Sequence, residues 1–147
     1  MANPLIRLIY RSTATEPVTM HVLHDIESTS TEYNASHKIT GLLVATERQF
    51  LQVLEGPRDA VNKLYIRIVQ DPRHHRCVIL TYHTVVRRGF EDWSMRSVGL
   101  GFLGKWLDQW LEERYGDEEG QIVLPDDEGT AYALLGDVQT RLRLRLR

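Results

Sequence analysis

ITGLLVATERQFLQVLEGP, residues 39 to 57, holds two apolar runs, ITGLLVA (39–45) and RQFLQVLE (48–55), joined by the polar pair Thr46-Glu47. Short apolar runs with a polar turn between them and Gly56-Pro57 closing the second read as the strands of a hairpin. In extended chain Phe50, Gln52 and Leu54 share one face, and Leu51, Val53 and Glu55 the other. Gln52 therefore sits between two large apolar neighbours, where a primary amide is costly unless its donors and acceptor are matched. The partner of that amide is the question the rest of the chain has to answer.

Working outward, LIRLIYRS (5–12) reads as a strand with Ile6, Leu8 and Tyr10 on one face. Thr15-Glu16-Pro17 is a capping hydroxyl with proline near the first turn, which predicts a helix over 17–33 burying Met20, Leu23 and Ile26 and reaching Ser30. After Gly56-Pro57 a second helix carries Val61, Leu64, Tyr65 and Ile68 on one stripe and stops at Asp71-Pro72. CVILTYHTVV (77–86) and DWSMRSV (92–98) are two further strands. The order β-α-β-β-α-β-β predicts an α+β fold, a ferredoxin-like sandwich of one mixed sheet with two helices on one face.

Past residue 99 the pattern changes, so residues 1–98 form one expected domain and 99–147 a C-terminal helical extension. Leu103, Trp106, Leu107, Trp110 and Leu111 recur at helical spacing, an amphipathic helix that must cover apolar surface. Asp117, Glu118, Glu119, Asp126, Asp127 and Glu128 make the following loop acidic. Ala131, Leu134, Leu135, Val138 and Leu142 mark a second helix. The closing RLRLRLR alternates like a strand yet continues that helical stripe, and helix is the reading adopted.

The 147 residues are 42% hydrophobic and 26% charged with a formal net charge of −2, values of an ordinary globular protein rather than a general nucleic-acid binder. No apolar run approaches the roughly 18 residues of a membrane span, and MANPLIRLIY lacks a secretory signal, so a cytoplasmic location is expected. The single Cys77 excludes an intrachain disulfide and argues against a cysteine-built metal site. RHHR (73–76) lacks the further ligands of a metal site. It reads as a polar turn in which Arg73 and His74 can face an anion.

Tyr10 and Gln52 both project from apolar strands that can be sheet neighbours, and a phenol and an amide can bond each other; on pattern alone that pair can be purely structural. The segments LIRLIYRSTAT, N-x4-ITGLL (34–43), FLQVLEGP, Y-x-RIVQDPRHH (65–75) and RRGFEDWSM (87–95), five in register, together resemble a BLUF domain, the blue-light sensor that binds flavin. The resemblance covers about residues 5 to 98. It implies a photoactive tyrosine at Tyr10, a switching amide at Gln52, a supporting serine at Ser30 and a ring-edge asparagine at Asn34. It places Arg67, Asp71 and His74 on the flavin's polar side. It matches Trp93 and Met95 to the photoactive tryptophan and methionine of the last strand, where alternation puts both on one face and leaves open which lies beside the flavin. Lys38 departs from the glycine common before the ITG, and a positive φ there would strain it.

The expected function is thus a non-enzymatic photoreceptor that binds FAD, with FMN or riboflavin able to make the same ring contacts. It is expected to signal to a downstream protein, as a homo-oligomer, without binding nucleic acid or membrane. Two other classes compete: an acylphosphatase-like hydrolase using Arg11 or Arg58, and a light-independent adaptor using Arg141, Arg143, Arg145 and Arg147 on nucleic acid. The first lacks a glycine-rich anion loop where RSTAT stands, and the second lacks stacking aromatics.

Overall fold

A computed structural model describes residues 3–101, 105–117 and 121–145, with the side chains of 105–108 outside that description. The elements are β1 (Leu5–Ala14), α1 (Met20–Ser36), β2 (Thr40–Ala45), β3 (Gln49–Pro57), α2 (Arg58–Val69), β4 (His74–Thr84), β5 (Arg96–Gly99), α3 (Lys105–Tyr115) and α4 (Glu128–Arg145). One five-stranded sheet runs β4-β1-β3-β2-β5, antiparallel throughout except for the β2–β5 pair. This is the expected α+β, ferredoxin-like arrangement with helices added at the C-terminus.

β3 is central and buried along nearly its whole length, which is why its sequence is a continuous apolar run. Its two faces feed two cores. Ile6, Leu8, Tyr10, Phe50 and Leu54 pack with Leu23, Val61 and the inner stripe of α2. Ile9, Leu51 and Val53 pack with Leu111, Leu134, Leu135 and Val138 on the opposite face. The extension therefore caps the open face of the sheet through Leu111 and the α4 stripe, with Trp110 half-buried beside them. Leu103 and the side chains of Trp106 and Leu107 lie outside the described residues. α4 runs helically through Arg145, so the arginine-leucine tail is helix as far as it is described.

Several boundaries differ from the sequence reading. Thr19, not Thr15, caps α1, accepting from Val22 N. The backbone NH groups of Ala14, Thr15 and Val18 bond Arg48, Arg73 and Glu47 carbonyls, which holds the Thr15-Pro17 stretch out of the helix. Met20 is consequently exposed instead of buried. Asn34 lies inside α1, and Asp71 just beyond the end of α2.

The largest correction concerns 92–98. Only Arg96–Gly99 is strand, because residues 87–95 are drawn into an irregular path by side-chain bonds from below. The Glu55 carboxylate accepts from Gly89 N and Phe90 N, and Arg88 donates to Thr40 Oγ1, Glu55 O and Lys38 O. Trp93 and Met95 are therefore not on one strand face. Met95 is buried in the α1/α2-side core, while Trp93 packs against the α3/α4-side core.

Two backbone positions explain the ITG region. A Cβ on Gly41 would lie 2.1 Å from Val53 O, so only glycine fits. Lys38 has φ 60, the left-handed conformation suspected from its departure. Lys38→Gly is expected to raise the unfolding free energy by about 0.5–1 kcal/mol. A urea midpoint that fails to rise would show the strain to be compensated.

Candidate functional site

Between α1, α2 and the sheet lies a cleft of ≈ 550 Å³, counting its open mouth, lined by Tyr10, Ile26, Ser30, Asn34, Leu43, Phe50, Gln52, Leu64, Ile68, Asp71, Arg73 and His74. α1 supplies Ile26, Ser30 and Asn34, spaced four residues apart and so stacked on one helix face. β1 and β3 supply Tyr10 and Gln52, which are register partners on adjacent strands.

The Tyr10 hydroxyl donates to Gln52 Oε1 at 2.6 Å, and Gln52 Nε2 points at Met95 Sδ at 3.4 Å. That is the partner of the buried amide: a phenol on one end and a soft sulfur acceptor on the other. Burial pushes the Tyr10 phenol well above its ordinary pKa, with Cys77, Tyr65 and Asp71 adding to the shift. It is a neutral phenol at any physiological pH.

Asn34 is 1% exposed; its Nδ2 donates to Ser94 O at 3.0 Å, but its Oδ1 has no partner. A buried acceptor left empty costs about 1–3 kcal/mol. Lining an apolar slot, it fits an N–H on the edge of a flat ring. Such an edge carries N–H and carbonyl groups in a flavin, and the donor set present suits it.

Of the other expected residues, Ser30 and Asp71 line the cleft. Asp71 is clamped by Arg73 at 2.6 Å, whose hydrogen bond holds the carboxyl below its usual range. Arg67 does not line this cleft. Its guanidinium lies 4.5 Å over the Tyr33 ring, in an adjoining groove that shares Ser30, Asn34 and Asp71. His74 does line the cleft, but both ring nitrogens are engaged, Nδ1 with Ser12 Oγ at 2.7 Å and Nε2 with Ile68 O at 2.5 Å. A carbonyl only accepts, so Nε2 carries the proton and the ring has no donor left for a ligand. Arg73 is the residue the sequence reading left outside the site; its only signal was a polar turn able to face an anion.

Three of the competing arginines are engaged elsewhere. Arg11 donates to Leu124 O, Arg141 lies over Trp110, and Arg143 pairs with Asp92. No metal-binding group occurs among the described residues, and none of their helices is long and apolar enough to cross a membrane.

A slot between helices with two carboxamides converging beside a buried phenol defines a domain that binds a flat ring with a hydrogen-bonding edge. Residues 5–96 match the BLUF family, sensors of blue-light using FAD, and the chain belongs to that family. It is a blue-light flavin sensor. The chain is 50% identical over 94 residues to the photoactivated adenylate cyclase subunit beta of Euglena gracilis, covering 63% of this chain and 11% of the relative. The chain thus spans about a tenth of the length of that relative. The dark-state structure of BlrB, a BLUF protein, superposes with TM-score 0.67 at 32% identity, covering 78% of this chain and 86% of that one. A Klebsiella pneumoniae BlrP1 structure with FMN and cyclic diGMP superposes with TM-score 0.66 at 29% identity, covering 95% of this chain and 37% of that one.

Proposed function

We propose that Tyr10, Gln52 and Met95 are the moving parts of the photoswitch, carried by one observation: the continuous chain from phenol through amide to sulfur along the cleft. Bound flavin supplies a strong oxidant when it absorbs blue light. Tyr10 is the electron donor, and the 2.6 Å bond to Gln52 Oε1 gives its proton a path as charge leaves. With flavin bound, Gln52 would turn or tautomerise, giving up its weak bond to Met95 Sδ and offering a donor to the ring edge, which would shift absorption to the red. The switch cycle itself makes no net reaction. Asn34 would hold the ring edge through its empty Oδ1, Ser30 would support the amide from α1, and the Asp71–Arg73 pair would serve the polar side.

FAD is the cofactor we favour, as in the family's description. FMN remains compatible with the same cleft, as the FMN-bearing BlrP1 relative illustrates. Residues 1–98 are the sensor and 99–147 the output cap. The segment 87–95 joins them: Met95 touches Gln52 on one side, while on the other Gly89 O accepts from Gln139 Nε2, Asp92 pairs with Arg143, and Phe90 meets Tyr132 edge-on. A rearranged buried hydrogen bond is worth about 1–3 kcal/mol. That matches ordinary coupling energies and suffices to loosen α4 for a downstream protein or a second copy of the chain.

The test is an absorption spectrum before and after blue light on wild type and Tyr10→Phe. The wild type should be yellow and red-shift reversibly. The variant should stay yellow and lose the normal cycle, because the donor is gone. A normal red shift in Tyr10→Phe removes Tyr10 from the mechanism.

A further inference from the structure

Beside Tyr10, and not among the residues lining the cleft, stands a second phenol. The Tyr65 ring centroid is 5.5 Å from that of Tyr10, with the planes tilted by 58°, which is direct aromatic contact. Tyr65 comes from the inner stripe of α2 and packs on the same core, yet it is half-buried where Tyr10 is only 3% exposed. The pair therefore spans from the cleft wall to solvent.

Resting on the reading of Tyr10 as donor, we infer that Tyr65 is a second redox site, which drains the oxidising equivalent from Tyr10 to the surface and permits light-driven oxidation of thiols there. The two side chains are the same chemical group, so their surroundings set the direction of transfer. Tyr10 is desolvated and its hydroxyl proton is committed to Gln52, whereas a half-exposed phenol can release its proton to water or a solute.

In the transfer an electron passes from Tyr65 to the Tyr10 radical, the O–H of Tyr65 gives its proton to water, and Tyr10 takes a proton back through its hydrogen bond to Gln52. The Tyr65 radical then takes a hydrogen atom from a thiol, RSH. Two such events leave one RSSR, and the two electrons and two protons end on the flavin. Cys77, half-buried on β4, is an internal thiol and is tested as a rival exit.

The experiment uses the flavin-loaded full chain under blue light with dithiothreitol, and in parallel with a nitroso radical trap followed by peptide mapping. Wild type should bleach its flavin and carry the trap adduct on Tyr65. Tyr65→Phe, which keeps the ring, should retain the red shift but bleach an order of magnitude more slowly and lose that adduct. Cys77→Ser should behave as wild type. Equal bleaching in Tyr65→Phe and wild type, or an adduct on Tyr10 or Cys77 instead, overturns the inference while leaving the switch intact. A red shift that survives Tyr10→Phe is the separate signature that the donor assignment has failed, and the relay with it.

Discussion

Gln52→Leu is expected to keep flavin in the cleft and abolish the light-induced red shift completely. Leucine has nearly the volume of glutamine and meets the apolar neighbours Phe50, Leu54 and Leu43 that line or flank the position. The walls and the empty Asn34 Oδ1 acceptor remain, so the ring keeps its hold. Two things are lost: the acceptor of the Tyr10 hydroxyl and the amide donor that points at Met95 Sδ. The first leaves a buried phenol unpaired, at about 1–3 kcal/mol, visible as a lower unfolding midpoint. The second leaves nothing to turn. Difference spectra decide it, and a red shift of wild-type size in Gln52→Leu would place the switch elsewhere.

How much of this was readable in advance follows from the range of each interaction. Period-two patterning around Gln52 and Tyr10 put both on the correct face, because alternation is a property of the strand alone. The α4 stripe was readable because helical spacing is equally local, whereas the tail fitted either strand or helix and is helical through Arg145. What failed depended on contacts from distant residues. Arg88 and Glu55 pull 87–95 off the sheet, so no local pattern could separate Met95 from Trp93. His74 looked available in the string RHHR, but Ser12 and Ile68 consume both its nitrogens. Thr15-Pro17 is a sound local start for a helix, overruled by backbone bonds to Arg48, Arg73 and Glu47.

Glu55 is the polar residue whose importance its own strand conceals. It shares a face with Leu51 and Val53 and is 0% exposed, a position where a carboxylate persists only with full compensation. It has that: Arg7 Nε at 2.7 Å, Gly89 N at 2.9 Å and Phe90 N at 2.6 Å. Glu55→Leu removes the charge and leaves a mostly buried guanidinium and two backbone donors unpaired. The expected loss is about 3–5 kcal/mol, the range for breaking a buried pair from one side. Glu55→Gln keeps one acceptor oxygen and is expected to lose only about 1–3 kcal/mol. The order of the two variants in chemical denaturation separates a charge effect from a packing effect. Because Gly89 and Phe90 begin the segment that ends at Met95, the glutamine variant, still folded, should also show an altered red shift or recovery rate. Should Glu55→Leu unfold at the wild-type denaturant concentration, the carboxylate does not anchor that segment, and the route from Gln52 to α4 through residues 87–95 loses its fixed point.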